Sequence, residues 1–296
     1  MSTTVTNLLV PEAAARARQL EFYARAAVDG FLKGQNRSRL KGVSPEFLQH
    51  RMYMPGDDLR MLDWKIYART ERLVMREQQE FTNLDAVLIL DVSGSMDYGG
   101  AGLSKAEFAR RAIAMMAYLF NHQNDRYGLA TVADRVTGFL PPSIGRKHMA
   151  ELFRRLSAAS AGGETDLAVC AGALLRNIAR RSVFLVFSDG YQDPEPLIRG
   201  LSMLALRGHE IVFFQVYDNS ETDLDFIGFT QFRDLETNQV DPADPAEIRQ
   251  AYRQVFVAHQ QRLRDGLLRA GVEFYPLPVV AEWDLALANI LRRRAS

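Results

Sequence analysis

Cysteine is nearly absent from this chain of 296 residues, and that already narrows its chemistry. The single Cys170 cannot form an internal disulfide or build a thiolate metal cage, and within a helical stretch it reads as a small buried residue. Long apolar runs are also missing. None approaches the roughly 20 residues that cross a bilayer, and the N-terminus has no signal-peptide core, so the expected location is the reducing cytoplasm. Charge of one sign is lacking too: 36 basic residues balance 36 acidic ones. Neither a nucleic-acid field nor a polybasic membrane patch follows from that balance. Lysine is scarce, with only Lys33, Lys41, Lys65, Lys105 and Lys147 among the basic residues. The five histidines, at positions 50, 122, 148, 209 and 259, show no ligand spacing.

What the chain does have is a core: 47% of its residues are hydrophobic. Apolar runs at 86–91, 127–133, 183–189, 211–217 and 272–277 read as buried strands. Helical stretches at 105–121, 147–158, 167–180, 195–207, 246–270 and 285–293 alternate with them. Such alternation predicts an α/β fold, a doubly wound, mostly parallel sheet flanked by helices. Residues 135–140 fit a short antiparallel edge strand. A doubly wound domain of about 200 residues leaves room for an N-terminal extension, which divides the chain into 1–80 and 81–296. The extension opens with a helix over 11–32, where Leu20, Tyr23, Ala27 and Phe31 recur at spacings of three and four.

The chemistry concentrates at Leu88-Ile89-Leu90-Asp91-Val92-Ser93-Gly94-Ser95-Met96. A buried strand here delivers Asp-x-Ser-x-Ser, gathering Asp91, Ser93 and Ser95 as hard oxygen donors where ligands of open sheets bind. The alternative is that the two serines cap a turn or a helix start. A second strand ends in Ser188-Asp189-Gly190, and Gly162-Gly163-Glu164-Thr165-Asp166 is a Gly-rich loop offering Thr165 at a helix start. Glu164 and Asp166 fit a solvated, acid-rich helix N-terminus better than a general base.

Asp-x-Ser-x-Ser, then Thr, then Asp resembles the metal-ion-dependent adhesion site of the von Willebrand factor A family. The resemblance implies that Asp91, Ser93, Ser95, Thr165 and Asp189 hold Mg²⁺, or Mn²⁺, with one position left for a partner's carboxylate. The upstream residues carry another likeness. Glu46-Phe47, Arg51-x-Tyr53-x-Pro55-Gly56-Asp57-Asp58-x-Arg60-x-x-Asp63-Trp64 and Ala68-Arg69-Thr70 resemble the bacterial "domain of unknown function 58" family. Members commonly pair with MoxR-type AAA+ ATPases, so the resemblance implies a non-enzymatic adaptor in protein complex maturation or remodelling. It also implies a protein partner that docks through an acidic side chain, with no nucleic acid and no direct membrane insertion. Many members carry transmembrane helices ahead of the motif-rich segment, and this chain has none there.

Read from the residues alone, Pro55-Gly56 forms a turn, Asp57, Asp58, Arg60 and Asp63 brace it with ion pairs, and Trp64 anchors the extension. The competing reading of the whole chain is a Mg-dependent phosphohydrolase of haloacid-dehalogenase-like type, with Asp91 as nucleophile. That chemistry normally places a second Asp two residues on, where this chain has Ser93, and no phosphate-holding Lys follows.

Overall fold

Six strands make one sheet: β3 (Asp85–Asp91), β4 (Tyr127–Val132), β5 (Val136–Ser143), β6 (Ser182–Ser188), β7 (Glu210–Tyr217) and β10 (Glu273–Pro278). Their order across it is β10-β7-β6-β3-β4-β5, and only the edge strand β5 runs antiparallel. The structure is a computed structural model and describes residues 11–38, 49–52, 69–70, 74–77, 85–99, 102–224, 228, 230–236 and 239–280. Its helices are α1 (Pro11–Ser38), α2 (Lys105–Gln123), α3 (Arg146–Ala158), α4 (Leu167–Asn177), α5 (Pro194–Leu206), α6 (Asn219–Asp223) and α7 (Pro245–Arg269). Two further antiparallel pairs are β1 (Gln49–Met52) with β2 (Val74–Glu77), and β8 (Thr230–Arg233) with β9 (Val240–Ala243). By its contacts the chain divides into Met1–Phe31 with Leu84–Ser296, and Leu32–Asn83.

The expected doubly wound sheet is therefore present, antiparallel edge included. It forms because β3, β4, β6 and β7 have apolar side chains on both faces, so each must be covered twice. Along β3, Val87 and Ile89 join one core with Leu167, Leu174, Leu197, Leu201, Leu263 and Leu267 from α4, α5 and α7. Leu88 and Leu90 point the other way and are equally buried, as are Phe108, Met115 and Met116 of α2, which lies against β3 and β4. The helix starts are written locally. Ser104 caps α2 by accepting from Glu107 N at 3.3 Å, while Asp193 and Asp244 cap α5 and α7, each followed by a proline at the first helical position.

Some expectations need correction. Helix α1 runs on to Ser38, past residue 32, and its buried residues include Leu20, Ala24 and Val28, with Tyr23 and Ala27 at the margin. Arg111 of α2 stacks 4.7 Å over the Tyr23 ring. Helix α4 stops at Asn177 rather than running to residue 180. The β8–β9 hairpin and α6 have no counterpart among the expected elements, because four- and five-residue segments carry too few residues for a periodicity to show. The expected helix over 285–293 and the motif residues Asp57, Asp58, Arg60, Asp63 and Trp64 lie outside the described residues.

Helices α4 and α5 touch at Gly200, where a Cβ would fall 2.5 Å from Ala168 Cα. That neighbour is backbone and cannot swing aside. Gly200→Ala should destabilise the fold by about 1–3 kcal/mol, read from urea denaturation, whereas Gly172→Ala on α4, where a Cβ meets nothing within 4 Å, should not.

Candidate metal centre

The parallel pairing of β3 with β6 sets Leu90 opposite Phe187, so the two strands deliver Asp91 and Ser188 side by side at the sheet's carboxyl edge. Asp91 is wholly buried. Its Oδ1 accepts from Ser93 N at 2.9 Å and from the Thr165 hydroxyl at 3.1 Å, and its Oδ2 accepts from the Ser188 hydroxyl at 2.6 Å. The loop bearing Thr165 is laced to the Asp-x-Ser-x-Ser turn by two backbone bonds, Gly94 N to Gly163 O and Gly162 N to Val92 O, each 2.8 Å. Gly163 sits at φ +79°, a conformation that bends the chain back toward Asp91.

Ser93 is buried and its hydroxyl lies 3.1 Å from that of Ser95. Ser93 does precede a 3₁₀ turn, Gly94–Asp97, but its side chain makes no capping bond. The hydroxyls meet each other instead, which disfavours the capping alternative. Asp166 is occupied structurally, since its carboxylate caps α4 by accepting from Val169 N at 2.9 Å.

Asp189 follows Ser188 directly, ahead of the turn at Gly190, whose φ is +70°. Its Oδ2 accepts from the Lys105 ammonium at 2.8 Å and its Oδ1 from Tyr191 N at 3.2 Å. The same ammonium reaches Glu221 Oε1 on α6 at 2.6 Å and lies 4.3 Å from the centre of the Tyr191 ring. Lys105 has no exposure to solvent. Burial works against its charge, but Asp189 and Glu221 outweigh it and hold its pKa above the ordinary lysine value. Glu221 is in turn fixed by the Tyr191 hydroxyl, which donates at 3.1 Å, and by Asp218 N at 3.0 Å. Burial lifts the Glu221 carboxyl above its usual range in spite of Lys105. The 2.6 Å contact makes this an ion pair all the same.

Sequence reasoning named five candidate donors and did not single out four side chains that lie among them: Ser188, Lys105, Tyr191 and Glu221. Ser188 stood in plain view beside Asp189, and the parallel register of β3 and β6 is the signal that singles it out. Lys105 was one of only five lysines, and it is the first helical residue after the α2 cap. Tyr191 and Glu221 had no sequence signal, because they come to the site through tertiary packing.

The two carboxylates differ in one respect that matters. Asp189 has a cationic partner, whereas among the described residues no Lys or Arg pairs with Asp91. Burial, then the charge of Asp189, push the Asp91 carboxyl up to about 6, against hydrogen bonds from Ser188 and Ser93. A buried carboxylate surrounded by hydroxyls lacks a countercharge, and a hard cation is the species that suits oxygen donors of this kind. Among the described residues no three His, Cys, Asp or Glu side chains converge as a metal cage. Hydroxyls and water would have to complete the shell, as Mg²⁺ permits. Alongside lies a groove of about 790 Å³, lined by Val92, Thr131, Arg135, Arg155, Gly163 and Glu164 among others.

Comparison with known proteins places these residues in a family. The profile described as "Protein of unknown function DUF58" matches residues 49–262. The chain belongs to the DUF58 family. Its similar relatives include the uncharacterized protein Rv1480 of Mycobacterium tuberculosis, 30% identical over 291 residues, covering 97% of this chain and 90% of that one. The uncharacterized protein Mb1516 of Mycobacterium bovis matches to the same extent. Similar solved structures include BatB from Bacteroides thetaiotaomicron, at 13% identity and a TM-score of 0.47, covering 72% of this chain and 98% of that one. Another is the SpRpn10 VWA domain, at 14% identity and a TM-score of 0.44, covering 70% and 94%. Among the described residues of this DUF58 member, no helix is long and apolar enough to cross a membrane.

Two variants test the electrostatics. Ionising Asp91 costs the folded state stability, because its folded pKa, about 6, exceeds the ordinary 3.8. That cost sets in as pH climbs from about 4 and is complete above about 6. In EDTA, Asp91→Asn should therefore raise stability at pH 7.5 by roughly 1–3 kcal/mol, and the gain should vanish near pH 4. For the buried ammonium the sign is opposite. Lys105→Met leaves Asp189 and Glu221 unpaired and should cost about 3–5 kcal/mol in urea denaturation, part of it recovered by adding Glu221→Gln.

Proposed function

We propose that this DUF58 protein is a metal-dependent protein-binding adaptor and not an enzyme. Asp91, Ser93, Ser95, Thr165 and Asp189 would hold Mg²⁺, or Mn²⁺, and the cation would offer a partner's Glu or Asp a charge-assisted contact. The observation that carries this reading is the wholly buried Asp91, paired with no basic side chain among the described residues and ringed by the Ser93 N–H and the hydroxyls of Thr165 and Ser188. Neutral hydroxyls leave a divalent ion electron-poor, so an incoming carboxylate is its natural further ligand. Lys105 already occupies one oxygen of Asp189, so that residue is suited to act through water or through its remaining oxygen.

Geometry favours binding over hydrolysis. Both Asp91 oxygens are engaged by donors in a buried setting, which is a poor arrangement for a nucleophile, and Asp166 is engaged in capping α4 rather than free to act as a base. The phosphohydrolase reading has no observation of its own in its favour. The partner class follows from the family resemblance: a MoxR-type AAA+ ATPase or the client it remodels, met in the cytoplasm.

A purified MoxR-type ATPase from the same genome should be captured by the immobilised protein in Mg²⁺ and released by EDTA. The Ser93→Ala, Ser95→Ala double change should weaken capture severalfold while far-UV circular dichroism shows an intact fold. Capture of equal strength with Mg²⁺ and with EDTA would sink the metal-dependent mechanism.

A further inference from the structure

Helix α7 carries an apolar face that its own domain does not use. The helix is anchored on the sheet through Phe256, Leu263 and Leu267, which are buried. At about 100° per residue, Ile248, Ala251, Val255 and Ala258 fall within about 80° of one another, on a different side of the helix from those anchors. All four are exposed, Ile248 at 36% and Val255 at 70%. Branched apolar side chains aligned in water over nearly three turns are stabilised by any surface that covers them.

The order of side chains along this face specifies what that surface is. Large, small, large, small becomes its own complement when reversed. Laid antiparallel against a second α7, about a two-fold axis level with Arg253, Ile248 comes opposite Ala258 of the second copy and Ala251 opposite its Val255. Each bulky side chain thus meets a small one. Arg253 lies on the far side of the helix, about 180° from the middle of this face, so the axis brings no like charges together. At the ends, the same register sets Asp244 opposite Arg262. Asp244 caps α7 through Oδ1, which accepts from Ala246 N at 2.9 Å, and its Oδ2 is the oxygen that would meet the guanidinium. Arg262 is exposed and has no acidic partner among the described residues. The two-fold makes this ion pair twice, whereas a parallel pairing would set Asp244 beside Asp244 and Arg262 beside Arg262.

We propose that α7 is a homodimerisation surface, which pairs antiparallel with α7 of a second copy of this chain. The inference makes no use of the metal-centre reading. One helix pair of this length buries less than the roughly 1,200 Å² of a standard interface, so the dimer is reversible and forms in the micromolar range. Its geometry has a consequence for the sheet edges. Strands β7 and β10 are parallel and α7 is the crossover between them, so α7 begins at the sheet's carboxyl edge and ends at the opposite one. Antiparallel pairing therefore turns the two carboxyl edges, each with its Asp91 and Asp189, to opposite ends of the dimer, where each is open to a partner.

Sedimentation equilibrium of the full-length protein should show a monomer–dimer equilibrium. Val255→Asp should weaken it at least tenfold with an unchanged thermal melt, because the position is exposed. Cross-linking with a short bismaleimide reads the direction of pairing, since the one natural cysteine, Cys170, is buried and silent. Val255→Cys, about 6 Å along the axis from its copy, should cross-link, whereas Ile248→Cys, about 15 Å from its copy, should not. Val257→Cys, exposed on another side of the helix, should not cross-link either. A chain that stays monomeric at the highest concentration reached would overturn the proposal and leave this face to a different protein. A dimer untouched by Val255→Asp, or one in which Ile248→Cys cross-links as readily as Val255→Cys, would equally overturn the antiparallel pairing of α7.

Discussion

The arrangement depends on one unfavourable feature: a carboxylate carried by the central strand β3 into complete burial without a basic partner among the described residues. A fold selected for stability alone would place a hydrophobic residue at position 91, as it does at Leu88 and Leu90. Instead the chain surrounds Asp91 with a backbone N-H and the hydroxyls of Thr165 and Ser188, drawn from three different segments. These dipoles reduce the cost of the charge without cancelling it. The remaining deficit is what the proposed cation would relieve, and the sheet is the scaffold that makes the deficit tolerable. Five parallel strands, the central ones buried on both faces, hold the donor-bearing loops at one edge to within hydrogen-bonding tolerance.

Lys105 shows how the same edge handles its second charge. Asp189 is neutralised by an ammonium without solvent exposure, shared with Glu221 and backed by the Tyr191 ring. A buried ion pair of this kind contributes little net stability, because desolvation offsets its attraction. Its consequence is positional. The start of α2, the turn after β6 and the short α6 are tied to one ammonium, so a shift in any of them is felt at Asp189. The two carboxylates thus differ: Asp189 is held in an ion pair, and Asp91 by neutral donors.

Much of the fold was legible in the sequence, and the reason is periodicity. Apolar runs marked each parallel strand of the main sheet to within a residue or so, since a doubly buried strand accepts few polar side chains. Asp91, Ser93, Ser95 and Thr165 were picked out because their order along the chain is distinctive, and the structure brings their side chains together at one edge. What escaped falls into two classes. Ala24 and Val28 of α1 escaped because the expected face, through Leu20, Tyr23, Ala27 and Phe31, was drawn to one side of the buried line Leu20, Ala24 and Val28. Lys105, Tyr191 and Glu221 escaped because their meaning lies in a long-range contact. A lysine one residue past a helix cap looks like any solvated lysine until two carboxylates close over it.

The late elements of the chain gain a role from this contrast. Helix α6 and the β8–β9 hairpin lie between β7 and α7, outside the repeating strand-helix pattern, and neither adds a strand to the main sheet. Each nevertheless reaches the same edge, α6 through Glu221 on Lys105 and the hairpin loop through Leu235, whose carbonyl lies against Gly94. The two differ in what holds them. Glu221 is gripped by an ammonium, a phenol and a backbone N-H, so its withdrawal would strand a charge in the core. The hairpin loop meets the Asp-x-Ser-x-Ser turn backbone to backbone, at Gly94. Of the two elements, α6 therefore fixes the frame of the site, because it shares the ammonium that holds Asp189.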